Sequence, residues 1–332
     1  MKAVVLVGGA GTRLRPLTYT TPKPLLPIAN IPFVERQLDW LAAYGVDEAV
    51  LSLGYLPDAF TRHFADERHG DMKLRFVVEH EPLGTAGGIR FAAEGINERL
   101  IVCNGDVLTD LDLSAFVAFH EARGAEATIS LTQVDDPSAF GVVPTRADGE
   151  VIAFVEKPPR DQAPTNWINA GTYVLEPSVL QRIPTGRKVS IERETFPGMV
   201  DDGALYALHS DAYWVDAGTP NTYVEVQLDL IDGTRGEAEL GVHPSTDIHA
   251  TAVVDHSVVM TGVRIGEHAV VRDSVILPGA RVDPRTFIDG SVIGAGARIG
   301  EGAVLSGMTV IGDRYEVRAG AHLDGARLPE EG

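Results

Sequence analysis

Short aliphatic runs alternate with amphipathic stretches over the first two thirds of the chain. Ala3 to Val7, Glu48 to Leu53, Leu74 to Val78 and Leu100 to Cys103 are dense in apolar and β-branched residues and read as strands. Between the first two, Val34, Leu38 and Leu41 fall three and four apart, which predicts a helix opened by Pro32 and closed by Gly45. A β-rich stretch from Ala125 to Val155, a further run from Ile168 to Leu175 and a helix near Thr219 to Leu230 complete this part. Strands alternating with helices predict an α/β domain, a mostly parallel sheet covered on both faces.

The pattern dissolves at Ile231-Asp-Gly-Thr-Arg-Gly-Glu-Ala-Glu-Leu240, which reads as a linker. Beyond it aliphatic residues recur every six positions: Ile265, Val271, Leu277; then Val282, Ile288; then Ile293, Ile299, Leu305, Ile311, Val317. One-residue shifts between these sets are what slips at solenoid corners would produce. A six-residue period predicts a parallel β-helix, each coil giving one aliphatic residue per side to a continuous core. The expected organisation is a domain over 1–232, a linker over 233–240 and a β-helix over 241–332. The histidines at 243, 249, 256 and 268 fall at expected coil corners and read as solvated rather than metal-binding.

Composition narrows the function. A length of 332 residues suits about two domains. The formal charge of -19 repels nucleic acid and anionic membranes, and no basic run offsets it. No apolar stretch approaches the roughly 20 residues needed to span a bilayer. Met1-Lys2 passes straight into the first strand without a leader, and the one cysteine, Cys103, has no internal disulfide partner. The expectation is a cytoplasmic protein with small-molecule substrates, no nucleic acid and no membrane. Cys103, inside a strand, reads as a small buried residue.

The chemistry concentrates in Leu6-Val-Gly-Gly-Ala-Gly-Thr-Arg-Leu-Arg-Pro-Leu-Thr18, a glycine-rich turn directly after the first strand. Glycines let backbone N–H groups approach a phosphate closely. Leu14 stands where a dinucleotide fingerprint wants a third glycine, and the Walker lysine motif is absent. The loop is set apart by Arg13 and Arg15 and by Thr21-Pro-Lys-Pro-Leu-Leu-Pro27, where Lys23 is held between two prolines.

These two segments closely resemble the signature of the sugar-1-phosphate nucleotidylyltransferases. Further blocks resemble that family in order: EPLGTAGG (Glu81 to Gly88), NGDV (Asn104 to Val107), FGVV (Phe140 to Val143), FVEKP (Phe154 to Pro158), INAGTYVL (Ile168 to Leu175), SIERETFP (Ser190 to Pro197) and WVDAGTP (Trp214 to Pro220). They cover nearly all of residues 1–230. Several branches of the family carry a left-handed β-helix after the catalytic domain. The resemblance therefore implies a Rossmann-like mixed-sheet nucleotidyltransferase domain followed by a left-handed parallel β-helix of hexapeptide repeats.

The implied reaction joins a sugar 1-phosphate to a nucleoside monophosphate unit, with loss of pyrophosphate. Bringing two polyanions together makes catalysis a matter of positioning and charge neutralisation. By resemblance, Arg13 neutralises the departing β- and γ-phosphates, Lys23 holds the α-phosphate oxygen, and Lys157 binds the sugar phosphate. Leu6, Gly8, Gly9, Gly11, Thr12, Glu79, Gly84 and Thr85 complete the nucleotide contacts, with Asp106. Gly141, Glu156, Asn169 and Gly171 contact the sugar. Mg²⁺ is implied, with Asp106 and Asp216 as its carboxylates, since that ion is held by one or two carboxylates plus phosphate and water. Asp106 follows the carboxyl end of a strand, where open α/β sheets place ligands.

Relatives that use uracil or thymine often carry a glutamine near the position of Glu79. A carboxylate only accepts, which suits the N1–H and 2-amino donors of guanine. In wording, TPKPLLP, EPLGTAG, NAGTYVL and SIERETFP are nearest to the mannose-1-phosphate guanylyltransferases, so GTP and mannose 1-phosphate are the expected substrates. Glucose-1-phosphate thymidylyl or uridylyl transfer is the neighbouring alternative. A catalytically silent regulatory subunit is the alternative of another class, against which all of Arg13, Lys23, Asp106 and Asp216 are retained. The β-helix could also be a second, acyl-transferring enzyme, but no long inserted loop supplies a histidine base. Its exposed coil ends instead predict a homo-oligomer.

Overall fold

A computed structural model describes residues 1–330; the last two residues of the expected β-helix segment, 331–332, lie outside the described residues. The chain forms two compact units, Met1–Gly9 with Val34–Trp214, and Ala10–Phe33 with Val215–Gly332.

The first unit is built on one mixed sheet. Its strands are β1 (Lys2–Val7), β2 (Glu48–Leu53), β3 (Met72–Val78), β4 (Leu100–Asn104), β5 (Ala127–Gln133), β6 (Gly141–Val142), β7 (Val155–Glu156), β8 (Trp167–Leu175) and β9 (Leu205–His209). The order β7-β6-β8-β4-β1-β2-β3 ends on a short edge strand, Arg68–His69, while β5 pairs with both β8 and β9. β1 lies parallel to β2 and β4, with Val4 opposite Val50 and Val102. All three valines are fully buried, as expected of near-continuous aliphatic strands covered on both faces. β8 runs antiparallel to β4 and pairs with β6 and β5 as well.

Helix α1 (Phe33–Ala43) buries Val34, Leu38 and Leu41, the stripe read from the sequence. It starts one residue later than expected. Pro32 opposes Pro27 in a two-residue antiparallel ladder, so it is the last residue before the helix and not the first within it. Helix α2 (Gly84–Ala92) buries Ala86, Ile89 and Ala92 in a cluster that also holds Val4, Val50, Val102 and Ile129.

The second unit contains the glycine- and proline-rich loop, helix α3 (Pro220–Ile231) and the C-terminal solenoid. Thr219 caps α3, its hydroxyl accepting from the Thr222 N–H at 3.2 Å while Thr222 answers with a bond from the Thr219 N–H at 3.0 Å. The solenoid is a left-handed β-helix of three five-stranded parallel sheets. Ile248, Ile265, Val282, Ile299 and Val317 stack in one column, and Val254, Val271, Ile288, Leu305 and Leu323 in the next. Val259, Ile276, Ile293, Ile311 and Leu328 form the third. The short step therefore falls between Val271 and Ile276, one residue before Leu277. Leu277 is buried as well, at the following corner, which is why the six-residue period runs past it unnoticed. Small Ala269, Ala280, Ala297 and Ala303 fill the corners. No helix among the described residues is long and apolar enough to cross a membrane.

Candidate active site

In the second unit the signature loop folds as three single 3₁₀ turns, Thr12–Leu14, Leu17–Tyr19 and Lys23–Leu25. Gly11 precedes the first at φ +58°, and its carbonyl accepts from the Thr18 hydroxyl at 2.9 Å. A Cβ at Gly11 would stand 3.1 Å from both the Lys23 Cβ and the Thr18 Cγ2, so glycine here permits the lysine to lie against the turn. Pro22 and Pro24 are buried on either side of Lys23.

The Lys23 side chain is 8% exposed, and its Nζ donates to Asp216 Oδ1 at 3.1 Å. Arg13, 62% exposed, brings Nη2 to 3.5 Å from Asp216 Oδ2. Two cations of the loop thus converge on one carboxylate. Gly218 makes room for this: a Cβ there would fall 2.5 Å from Arg13 Nη2 and 2.7 Å from Asp216 Oδ1. Asp216 ends the strand Trp214–Asp216, and Thr219, three residues on, caps the helix that follows.

In the first unit, Leu6, next to last in β1, lies beside the turn Asn104-Gly105-Asp106 at the carboxyl end of β4. The Gly105 N–H donates to the Leu6 carbonyl at 2.8 Å, and a Cβ at Gly105 would lie 2.3 Å from Val7 Cγ1. Only glycine fits. Gln37 pins the same turn, its Nε2 donating to the Asn104 and Val107 carbonyls at 2.7 Å each. This buried amide was missed in the sequence, although a glutamine on the stripe of Val34 and Leu41 is the signal that could have found it. Asp106 is half-buried in this turn. Gly8 and Gly9 follow β1 as exposed backbone, and Gly9 has open space above it.

Glu79 follows β3 and is tied into the fold. Its Oε1 accepts from the Ser52 hydroxyl at 2.8 Å and its Oε2 from the Leu83 N–H at 3.0 Å. A Cβ at Gly88 would come to 2.6 Å of that carboxylate. Gly84 opens α2 at φ +75°, where a Cβ would meet the Val189 carbonyl oxygen at 2.5 Å. The Thr85 hydroxyl donates to Glu192 Oε2 at 2.7 Å and accepts from the Ile191 N–H at 2.9 Å. Glu192, in a π-turn Ile191–Thr195, also accepts from the Ser190 hydroxyl at 2.6 Å. Within SIERETFP no spacing marks Glu192 as the carboxylate that meets Thr85.

The sugar-side candidates gather at β6, β7 and β8. Gly141 opposes Glu156, and a Cβ there would lie 2.6 Å from the Phe154 ring and 3.1 Å from Glu156 Oε2. Burial, and then the neighbouring Glu192 carboxylate, hold the Glu156 carboxyl above its ordinary range. Lys157 takes a left-handed φ of +51°, fixed by a 2.9 Å bond from its N–H to the Phe140 carbonyl. A non-glycine residue there stores strain of roughly 1 to 3 kcal/mol, as functional sites often do. Its Nζ lies 3.8 Å from Glu156 Oε1.

Asn169 Nδ2 donates to the buried Tyr173 hydroxyl at 2.9 Å, while its Oδ1 accepts from the Gly171 N–H at 3.0 Å. The β8–β5 ladder bulges between Asn169 and Tyr173. Gly171, at φ +76°, passes where a Cβ would be 2.7 Å from Asn104 Nδ2. The bulge is thereby packed on the Asp106 turn. Cys103, one strand residue before Asn104, is buried, and burial pushes its thiol up to about 12.

The histidines at 243, 249, 256 and 268 are exposed or half-buried. His256 alone of these stands between two carboxylates, with Nδ1 2.5 Å from Asp273 and Nε2 3.1 Å from Asp232.

Comparison with known proteins identifies the family. Residues 2–233 match the nucleotidyl transferase family model, and residues 237–330 match that of the GMPPB C-terminal domain. The chain is 42% identical to mannose-1-phosphate guanylyltransferase of Mycobacterium tuberculosis over 264 residues, covering 78% of this chain and 73% of that one. It is 40% identical to mannose-1-phosphate guanylyltransferase 1 of Arabidopsis thaliana, with the same coverage. Among solved structures, HddC from Yersinia pseudotuberculosis is similar at a TM-score of 0.60 and 32% identity, over 68% of this chain and 97% of that one. A second structure of HddC, complexed with GMP-PN, gives a TM-score of 0.59 at the same identity and coverage. With residues 2–233, more than half of its length, matched to the nucleotidyl transferase model, this chain belongs to the nucleotidyl transferase family.

Proposed function

We propose that the chain is a mannose-1-phosphate guanylyltransferase. A phosphate oxygen of mannose 1-phosphate attacks the α-phosphorus of GTP, the bond to the α–β bridging oxygen breaks, and GDP-mannose and pyrophosphate form. The observation that carries this reading is the convergence of Arg13 and Lys23 on the Asp216 carboxylate, in a chain about two-fifths identical to enzymes of that name. Exposed Arg13 is free to swing toward the departing β- and γ-phosphates, where its planar fork suits phosphate oxygens. Lys23, confined by its prolines, serves the α-phosphate oxygen as a fixed charge. Backbone at Leu6, Gly8, Gly9, Gly11 and Thr12 receives the phosphates, and Gly84 and Thr85 the nucleoside.

Glu79 reads guanine in this scheme. Each of its oxygens already takes one protein donor, and each keeps a second lone pair for the N1–H or the 2-amino group. Glu156 and Asn169 accept or donate to mannose hydroxyls beside Gly141 and Gly171, and Lys157 holds the sugar phosphate.

Enzymes of this family work with a divalent cation, which we read as Mg²⁺. No cluster of three or more His, Cys, Asp or Glu that could hold a metal unaided occurs among the described residues. Mg²⁺ is commonly held by one or two carboxylates and completed by phosphate oxygens and water. Asp216, whose two oxygens each face a cation, has the charge and donor type for it, and Asp106 is the other proposed ligand. Bound there, the ion would neutralise phosphate charge. The proposed partition assigns catalysis to 1–232, a linker to 233–240 and homo-oligomer assembly to the β-helix over 241–332, in a cytoplasmic enzyme.

Pyrophosphate release measured for four nucleoside triphosphates against three hexose 1-phosphates tests the reading. GTP with mannose 1-phosphate should lead, and chelation should abolish the signal. Preference for thymidine or uridine nucleotides would overturn the guanine assignment, and silence with every pair would favour a regulatory subunit.

A further inference from the structure

The loop that carries Arg13 and Lys23 is tied by polar contacts to the last coil of the β-helix, within the same unit. Asp313 stands at the corner after the strand Val310–Ile311. Its Oδ1 accepts from the Ala295 N–H of the preceding coil at 2.8 Å, which fixes the carboxylate in its own solenoid. Its Oδ2 accepts from the Thr20 hydroxyl at 2.6 Å and from the Thr21 hydroxyl at 3.3 Å. Arg327, in the final strand Arg327–Leu328, donates from Nη1 to the carbonyl of Arg13 at 3.0 Å. Beside them the backbones come close, since a Cβ at Gly312 would lie 3.2 Å from the Pro16 Cβ.

These contacts land at Arg13, Pro16, Thr20 and Thr21, so they span the segment from one cation to the residue two before the other. The segment consists of single 3₁₀ turns and belongs to no strand ladder that would set its position. We propose that Asp313 and Arg327 are positioning residues for the transfer reaction: the terminal coil holds the loop where Arg13 and Lys23 meet the triphosphate. This rests on the reading of those two cations as phosphate ligands. Apolar packing alone would attach the coil. A carboxylate held from behind and aimed at two hydroxyls also fixes direction, and a displacement near 1 Å can cost on the order of 100-fold in rate.

The test uses the full chain. Asp313→Ala should lower kcat about tenfold while leaving the KM for sugar phosphate within about twofold, a partial misplacement on the scale above. Hydrogen exchange of loop peptides spanning residues 11–26 should quicken, with cooperative melting retained. Asp313→Asn should recover most of the turnover, because its amide oxygen can accept from Ala295 and its NH₂ can donate to the threonine hydroxyls. Thr20→Val combined with Thr21→Val approaches the same contact from the loop and serves if Asp313→Ala does not fold. Adding Asp313→Ala to that pair should bring no further loss.

Unchanged turnover in both Asp313→Ala and the threonine pair would overturn the proposal. So would a loss that follows a lowered melting temperature, with loop exchange unaltered and no recovery in Asp313→Asn. If the wild-type chain releases no pyrophosphate from any substrate pair, the functional reading fails, and loop exchange still decides whether the coil restrains the loop.

Discussion

Gly84→Ala separates two costs that the first unit imposes on one residue. The first is conformational: at φ +75° a side chain costs roughly 1 kcal/mol. The second is the carbonyl oxygen of Val189, 2.5 Å from where the methyl would go. That oxygen accepts from the N–H groups of Ala86 and Gly87 at 3.1 and 3.4 Å, two of the first donors of α2, which have no partner inside the helix. Backbone cannot turn aside as a flexible side chain can, so both bonds lengthen, at about 1 kcal/mol each if lost. The sum is a destabilisation of about 2 to 3 kcal/mol. Gly95→Ala supplies the control, since Gly95 has φ +81° and nothing within 4 Å, and should lose only the roughly 1 kcal/mol of the first cost. Urea unfolding followed by tryptophan fluorescence reads this directly, because Trp40, Trp167 and Trp214 all belong to the first unit. With a slope near 2 kcal/mol per molar, Gly84→Ala should shift the midpoint by about 1 M and Gly95→Ala by about half that. Equal shifts for the two variants would refute the argument from close approach.

Lys23→Met should keep the melting temperature within a few degrees and lower kcat about 100- to 1000-fold, the usual cost of one preorganised electrostatic contact, as measured by pyrophosphate release; wild-type turnover would remove that cation from the mechanism. Ile288→Ala, fully buried between the equally buried Val271 and Leu305 of its column, should cost roughly 2 to 5 kcal/mol by calorimetry of the β-helix transition, and a loss below about 1 kcal/mol would contradict its place in the core. For His256, hydrogen bonds to Asp273 and then to Asp232 hold the imidazole above its ordinary value. The associated stability is fully present below about pH 6.5 and is lost as pH rises through the raised native value. The melting difference between wild type and His256→Gln should therefore be largest in acid and shrink toward alkaline pH, and a pH-independent difference would show that the paired carboxylates do not act through charge.

The parts of the fold that sequence alone revealed are those with a local cause. Val34, Leu38 and Leu41 announce their helix because burial of a stripe has the helix period, and the β-helix shows itself through its aliphatic columns. The error at Leu277 arises because a corner can absorb one residue while both neighbours stay buried, so hydrophobicity does not mark the slip. Pro32 was misplaced by one position because proline suits both a first helical turn and a strand end. In the candidate site, Gly84 and Gly171 were legible as glycines, but the backbone or amide each one admits lies far off in the chain. The bonds from Thr20 and Thr21 to Asp313 join residues nearly 300 positions apart, and no spacing rule could pair them. The ties of Glu79 to Ser52 and Leu83 were equally silent, since a carboxylate after a strand looks alike whether it caps a neighbouring helix or faces solvent.

Cys103 has a practical consequence. The chain has one cysteine, and it lies sealed in the sheet with its thiol far from ionisation at neutral pH. Maleimide dyes and spin labels therefore find an inert background, and a single added cysteine becomes a unique attachment point. Placed on the exposed tip at Thr12, such a reporter would follow the loop through turnover in real time, with no need to strip the native thiol first.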